Sequence, residues 1–254
     1  MWRYAAAKAT GVSHQRMGLP CQDRFACDQV GDGTIILALA DGAGSASMAE
    51  HGAELAVQTV VRVISSQLRQ GQTDLHEAMC EAVLEARQAI RSAAQDKSVS
   101  FRELASTLLA VAITPDKGVA AQIGDGLIVV RDQEDAWCWV FWPQHGEFVN
   151  TTRFLTDDDA MEHAEIESLP PTVYDLVLLT DGLERLALDF PNKAAYGPFF
   201  TGLINPLVAS DGTGAIPRLS SQLETFLCSE RITSRADDDV SLILATCRPQ
   251  DSRS

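Results

Sequence analysis

The chain has 254 residues, is 46% hydrophobic and carries a formal net charge of −15. That is apolar material enough for one large domain or two small ones, while the acidic balance excludes nucleic acid, whose binding rests on Lys and Arg neutralising phosphates. No run approaches the ~18 apolar residues of a membrane span, the first residues lack the apolar core of a secretory signal, and six scattered cysteines without a Cys-x-x-Cys pair suit reduced thiols. The expectation is a cytoplasmic monomer that binds neither membrane nor nucleic acid.

In chain order, 2–9 and 22–28 read as strands and 34–40 is a continuous apolar run ending at Asp41. Ser47-Met-Ala-Glu50 has the form of a capping box, and Met48, Leu55, Ala56, Val60, Ile64 and Leu68 then recur at helical spacing until Gly71. Thr73 is placed to cap a second helix with Leu75, Met79, Val83, Ala86 and Ile90 on one face. Four short strands follow at 106–113, 119–123, 127–131 and 137–142, separated by turn sequences that suit an antiparallel meander. Residues 143–174 have no clear period, and a loop that long in a compact domain is usually functional. Residues 175–180 read as a strand, 215–229 as a helix and 240–247 as a closing strand, with 248–254 a frayed tail. Strands then helices, twice over, fit two sheets with helices outside them rather than alternating βαβ units.

Single aspartates sit at the ends of these apolar runs: Asp41 before Gly42, Asp125 between Gly124 and Gly126, Asp181 before Gly182, and Asp238 before the last strand. A carboxylate at a buried strand end must be desolvated, which is costly unless it is paired or bound to a cation. Too few basic residues lie nearby to pair them all, and hard divalent cations with oxygen ligands are the natural partners. The triple Asp157-Asp158-Asp159 has no strand before it and reads as a solvated loop.

These motifs resemble, in order, those of the metal-dependent Ser/Thr protein phosphatases of type 2C. Asp41-Gly42, Gly124-Asp125-Gly126, Leu179-Thr-Asp181-Gly182 and Asp238-Asp-Val-Ser241 carry the likeness, with Cys21-Gln22-Asp23 where the family has its first acidic motif and Ala105-Ser-Thr107 where it has a Ser/Thr-rich strand start. Gly11-Val-Ser-His14 and Gly146-Glu-Phe-Val-Asn-Thr-Thr-Arg-Phe-Leu-Thr156 are similar to a compact bacterial branch. The resemblance implies an α+β fold, a four-layer α-β-β-α sandwich of two mostly antiparallel sheets flanked by helices, in one catalytic domain over 1–247 with the metal site at one end of the sheets. It implies hydrolysis of phosphoserine and phosphothreonine in proteins by a metal-activated water, without a phosphoenzyme. Two Mn2+ or Mg2+ ions are expected, with a possible third: Asp41 bridging, the Gly42 carbonyl helping, Asp181 and Asp238 as further ligands, Asp23 orienting water, Asp125 with Asp181 at the third ion, and Asp239 beside Asp238. Segment 143–170 falls where the family carries a mobile flap, and a Ser/Thr kinase encoded nearby is the implied partner.

Three positions depart from the family pattern. Gln22 replaces a glutamate, Ala43 stands where animal enzymes carry a histidine, and no arginine matches the phosphate-gripping one, leaving His14 and Arg16 as candidates for phosphate contact or proton donation. The alternative function is a catalytically weak pseudophosphatase that binds metal or phosphoprotein. A von Willebrand-type adhesion module and a haloacid-dehalogenase-type phosphatase both lack their spacing at Asp41, and no EF-hand loop is present.

Overall fold

The structure, a computed structural model, describes every residue except 32, 132–133, 145–151, 171 and 249–254. Strand β1 (Arg3–Ala9) leads into a short helix, α1 (Val12–Met17), and then a hairpin of β2 (Arg24–Val30) and β3 (Thr34–Ala40). The long helices α2 (Ala49–Arg69) and α3 (Leu75–Asp96) follow as expected, but their starts differ. α2 has no side-chain cap: the Ser47 amide donates to Glu103 Oε2 at 3.0 Å, and Glu50 is drawn away to the Arg24 guanidinium. α3 is capped by Asp74 rather than Thr73, its Oδ1 accepting from the His76 and Glu77 amides at 3.0 and 3.1 Å. A carboxylate there satisfies two open amides and complements the helix dipole, which a threonine hydroxyl does less well.

The meander is β4 (Leu108–Ile113), β5 (Gly118–Ile123), β6 (Leu127–Arg131) and β7 (Trp137–Trp139). Segment 143–174, expected to be irregular, contains strand β8 (Glu165–Leu169). Its sequence hides it because it is an edge strand, mostly exposed and polar. After β9 (Asp175–Leu179) come α4 (Glu184–Ala187), the small hairpin β10 (Leu188–Asp189) and β11 (Ala194–Ala195), and α5 (Gly197–Val208). α5 escapes a sequence reading because it contains two glycines and two prolines. Pro198 sits in the first turn, where its missing N–H is not needed. The expected helix over 215–229 resolves into β12 (Gly214–Ala215), α6 (Pro217–Leu227) and α7 (Glu230–Thr233) before β13 (Val240–Thr246) closes the fold.

The strands form a six-stranded sheet in the order β12-β1-β13-β9-β6-β7 and a five-stranded sheet in the order β2-β3-β4-β5-β8. Every pairing is antiparallel except β1 with β12. Three apolar clusters define the layers. Ile36, Ala38 and Ala40 of β3 face α2 and α3; Ile35, Leu37 and Leu39 face Leu176, Leu178 and Ile243 of the other sheet; and Val177, Leu179 and Leu242 pack under α5 and α6. β3 is buried throughout because both of its faces are covered, which is why it reads as an unbroken apolar run. Each large side chain so buried contributes roughly 1.5–3 kcal/mol. The architecture is the α-β-β-α sandwich, helices outside and two sheets face to face.

Register fixes what meets at each end. Ala9 pairs with Val240, Arg24 with Ala40, Leu108 with Ile123, and Leu127 and Leu242 both with Leu179. The segments carrying Asp23, Asp41, Asp125, Asp181 and Asp238 therefore all lie at one end of the two sheets. All six cysteines are free, and no described helix is long and apolar enough to cross a membrane.

Candidate metal centre

Asp41 leaves the end of β3 with its backbone clamped by Thr107. Its amide donates to Thr107 Oγ1 at 2.9 Å and its carbonyl accepts the Thr107 amide at 2.8 Å. Asp181 begins a 3-10 turn directly after β9, and Asp23, fully buried, precedes β2. Thr180, the residue before Asp181, donates its hydroxyl to Asp23 Oδ2 at 3.0 Å and accepts the Ser241 amide at 3.0 Å, tying three of the converging segments together.

The electrostatics are those of crowded carboxylates, with Lys8, whose Nζ donates to the Asp23 carbonyl at 2.9 Å, as a cation at their edge. Burial, then the charges of Asp23, Asp181 and Asp238, hold Asp41 well above the usual carboxylate range. Burial and, next, Asp125 push Asp181 up to about 7, and burial foremost, with Asp239 adding, pushes Asp23 up to about 6. Asp23 Oδ1 and Asp181 Oδ1 are both buried and accept no hydrogen bond among the described residues. Open carboxylate oxygens pointing into a shared acidic cluster are a donor set suited to hard divalent cations, so these residues fit a metal.

Beside this cluster Asp239, 1% exposed, is a hub. Its Oδ1 accepts the Gly11 amide at 2.7 Å, and its Oδ2 takes the Gln22 amide at 2.6 Å and His14 Nδ1 at 2.9 Å. Gly11 is required there: a Cβ would lie 2.2 Å from the Asp238 carbonyl carbon. His14, Asp238 and Asp239 have donor atoms within 4.8 Å of one another.

The sequence profile of the Protein phosphatase 2C family matches residues 10–228. The chain belongs to that family. It is 35% identical over 253 residues to serine/threonine-protein phosphatase 3 of Escherichia coli (strain K12), the alignment covering 96% of this chain and 98% of that protein. The fold is shared with the serine/threonine phosphatase Stp1 of Staphylococcus aureus, at a TM-score of 0.67 and 15% identity over 98% of this chain and 96% of that one. It is likewise shared with the serine/threonine phosphatase of S. agalactiae, at 0.65 and 16% over 98% and 100%.

Other expected residues of this family member fall as follows. Asp125 lies in the β5–β6 turn, 7% exposed, its Oδ2 accepting the Thr152 hydroxyl at 2.5 Å. Gly124 makes the turn with φ +109°, a conformation open to glycine. His14 is buried next to the cluster, whereas Arg16 is exposed on the last turn of α1 and pairs with no acidic residue among those described. Gln22 is buried, with Oε1 lacking a partner among the described residues. Of the triple at 157–159, only Asp158 is exposed. The segment is a surface turn, as the solvated-loop expectation has it, and local pairs shape it: Asp157 Oδ2 accepts the Phe154 amide at 2.9 Å and Asp159 pairs with Arg153 and His163. Of the candidate flap, 145–151 lies outside the described residues. Its other half is anchored by the Leu155 amide on the Ser106 carbonyl at 2.8 Å and by Arg87 on the Leu155 and Asp157 carbonyls. Arg248, first residue of the expected frayed tail, is held by Asp175 and Asp135, and 249–254 lie outside the described residues. Sequence reading missed Thr107, Thr152 and Thr180 as supporting groups; a hydroxyl directly before the Asp181 motif was the available signal.

Proposed function

We propose that this protein is a metal-dependent protein phosphatase that removes phosphate from phosphoserine and phosphothreonine in protein substrates. The observation that carries the reading is the pair of buried oxygens without a hydrogen-bond partner among the described residues, Asp23 Oδ1 and Asp181 Oδ1, in a cluster of mutually repelling carboxylates. The relative from Escherichia coli, named a serine/threonine-protein phosphatase, supports it. Asp41, the Gly42 carbonyl, Asp181 and Asp238 would hold two Mn2+ or Mg2+ ions, and Asp125 with Asp181 a third. Bound there, such ions supply positive charge against phosphoryl oxygens and a water acidic enough to attack near neutral pH.

The chain's own groups do the positioning. Asp23, with Oδ2 taken by Thr180, presents Oδ1 to accept a hydrogen bond from the attacking water and keep it in line. Cys21 is a poor nucleophile, because burial foremost, then the charges of Asp23 and Asp239, push its thiol up to about 12, and the thiolate is the reactive form. The pseudophosphatase alternative is not favoured: the aspartate set is complete, and Gln22 is the one departure within the first acidic motif.

Residues 1–247 act as one catalytic unit in this reading, with 143–170 as a flap whose Thr152 reaches Asp125. The protein works as a cytoplasmic monomer opposite a Ser/Thr kinase encoded nearby. Turnover of p-nitrophenyl phosphate and of a phosphothreonine peptide, with manganese and then with EDTA, tests the activity. The expected result is activity with manganese and its loss in EDTA; full activity in EDTA overturns the reading.

A further inference from the structure

We infer that the groove between the start of α2 and the α1–β2 connection is a substrate subsite that takes an uncharged, apolar side chain beside the phosphorylated residue. Leu19 and Met48 would then help to select which phosphoproteins are acted on. This rests on the phosphatase reading above. A substrate whose phosphate reaches the metal centre must lay its flanking chain over the adjoining surface. In the five-stranded sheet β5, which leads to Asp125 and its contact with Thr152, stands well away from β2, so the candidate flap borders one side of the centre and this groove opens on the other. The groove has a volume of about 490 Å3, within the ~300–1,000 Å3 of clefts that hold a ligand.

Gln22 and Ala49 line the groove and press on Gly42, the residue after Asp41. A Cβ on Gly42 would lie 2.9 Å from the Gln22 carbonyl oxygen and 3.0 Å from the Ala49 carbonyl carbon, so the groove begins where the centre ends. Leu19, Pro20 and Met48 give it an apolar wall, with Leu19 40% exposed. The backbone fixes Leu19 there: Gly18 ends α1 at φ +70°, and the Leu19 amide then donates to the His14 carbonyl at 2.9 Å. Another part of the wall is charged but balanced. Arg24 pairs with Glu50 and, at 3.1 Å, with Glu54, and it shares the Asp23 carbonyl with Lys8. Two bases offset two acids, and Gln22 adds a neutral amide. A charged substrate side chain would lose water there without a free partner, whereas an apolar one gains by covering Leu19 and Met48.

The test uses the full chain with manganese and two kinds of substrate. One is a set of phosphothreonine peptides in which each flanking position carries Leu, Ala, Asp or Lys in turn; the other is p-nitrophenyl phosphate, which has no flanking chain. Native protein is expected to favour Leu over Asp and over Lys by about tenfold in kcat/KM at one or more flanking positions. Leu19→Ser should cut that preference to about threefold or less while turnover of p-nitrophenyl phosphate stays at the native rate. Met48→Gln should act in the same direction, and it decides the matter if Leu19→Ser does not fold. Turnover of both substrates with no flanking preference, or with a preference for charged flanks, overturns the inference and leaves the phosphatase reading standing. So does a preference for Leu that survives in both variants. No turnover of p-nitrophenyl phosphate by native protein overturns both.

Discussion

Strand β9 has a carboxylate at or just past each end, and the two have opposite surroundings. At its start Asp175, fully buried, accepts the Thr246 hydroxyl at 2.6 Å and Arg248 Nε at 2.7 Å, with Arg131 at 3.6 Å. Just past its other end, Asp181 has Asp23, Asp41, Asp125 and Asp238 around it, and its Oδ1 is unpartnered among the described residues. One end neutralises its charge with bases from within the chain; the other crowds carboxyls together, and their mutual repulsion and burial hold them above their ordinary range. A buried aspartate is therefore not by itself a sign of a site. What marks the site is the missing partner.

Removing a carboxylate should accordingly do opposite things at the two ends. Asp41→Asn is expected to lower phosphatase activity on the order of a thousandfold, since metal charge supplies several kcal/mol of transition-state stabilisation. The same change relieves repulsion, so the metal-free melting temperature should rise while the gain on adding manganese shrinks. Asp175→Asn should leave the manganese response intact but lose on the order of 3 kcal/mol of stability by breaking a buried pair, a fall of roughly 6–12 °C at about 2–4 °C per kcal/mol. Thermal melts with and without manganese, alongside turnover, read both. A metal-free Asp41→Asn protein that melts below the native one would break the contrast.

The pH dependence separates the ends next. Asp23 near 6, Asp181 near 7 and Asp41 above its ordinary range all have folded values raised over their unfolded ones. Such groups impose no penalty below about pH 4, where both states are protonated. They destabilise increasingly as pH rises from about 4 toward the folded values near 6 and 7, because over that range the native state binds more protons than the unfolded one, and each penalty levels off above its folded value. Metal-free protein should lose stability between pH 5 and pH 8, and manganese should restore more at the upper limit. A metal-free melting temperature that holds level or climbs over that range would mean the cluster carries a compensating charge.

How far this was legible in the sequence follows from the same contrast. Asp41, Asp125, Asp181 and Asp238 could be found because each follows or precedes an apolar strand, and a strand's direction fixes which end its neighbour reaches. Asp175 also sits at a strand end, and only the Asp181-Gly182 motif after the run separates the two in the sequence: that Asp175 is neutralised could not be read, because its partners Arg131, Thr246 and Arg248 come from distant segments brought in by register. The hub at Asp239 was legible only as a neighbour of Asp238, since its donors lie at Gly11, His14 and Gln22, more than two hundred residues away. In the fold, the two-sided burial of β3 and the periodic faces of α2 and α3 announce themselves. Edge strand β8 and the proline-bearing α5 do not, because their local sequence reflects solvent exposure in one case and tolerated helix breakers in the other.

The smallest expected effect comes from Gln22, which borders the acidic end without adding to its charge. Its amide donates to Asp239 Oδ2 at 2.6 Å, while its side-chain Oε1 is buried and unpartnered among the described residues. Gln22→Glu places one more carboxylate at that end. At about 4 Å and an effective dielectric near 20, its attraction for a unit charge is on the order of 4 kcal/mol. Desolvating the new carboxylate and setting it against its acidic neighbours offsets most of that. We expect the manganese concentration for half-maximal activity to fall roughly three- to tenfold, a net gain of up to about 1.4 kcal/mol. The metal-free variant should melt lower than the native protein, because the added charge joins a cluster of mutually repelling carboxylates. A manganese midpoint that is unchanged or higher, with a metal-free melt equal to the native one, would place the Gln22 side chain outside the charged end and make its buried oxygen a packing feature of the β1–β2 connection.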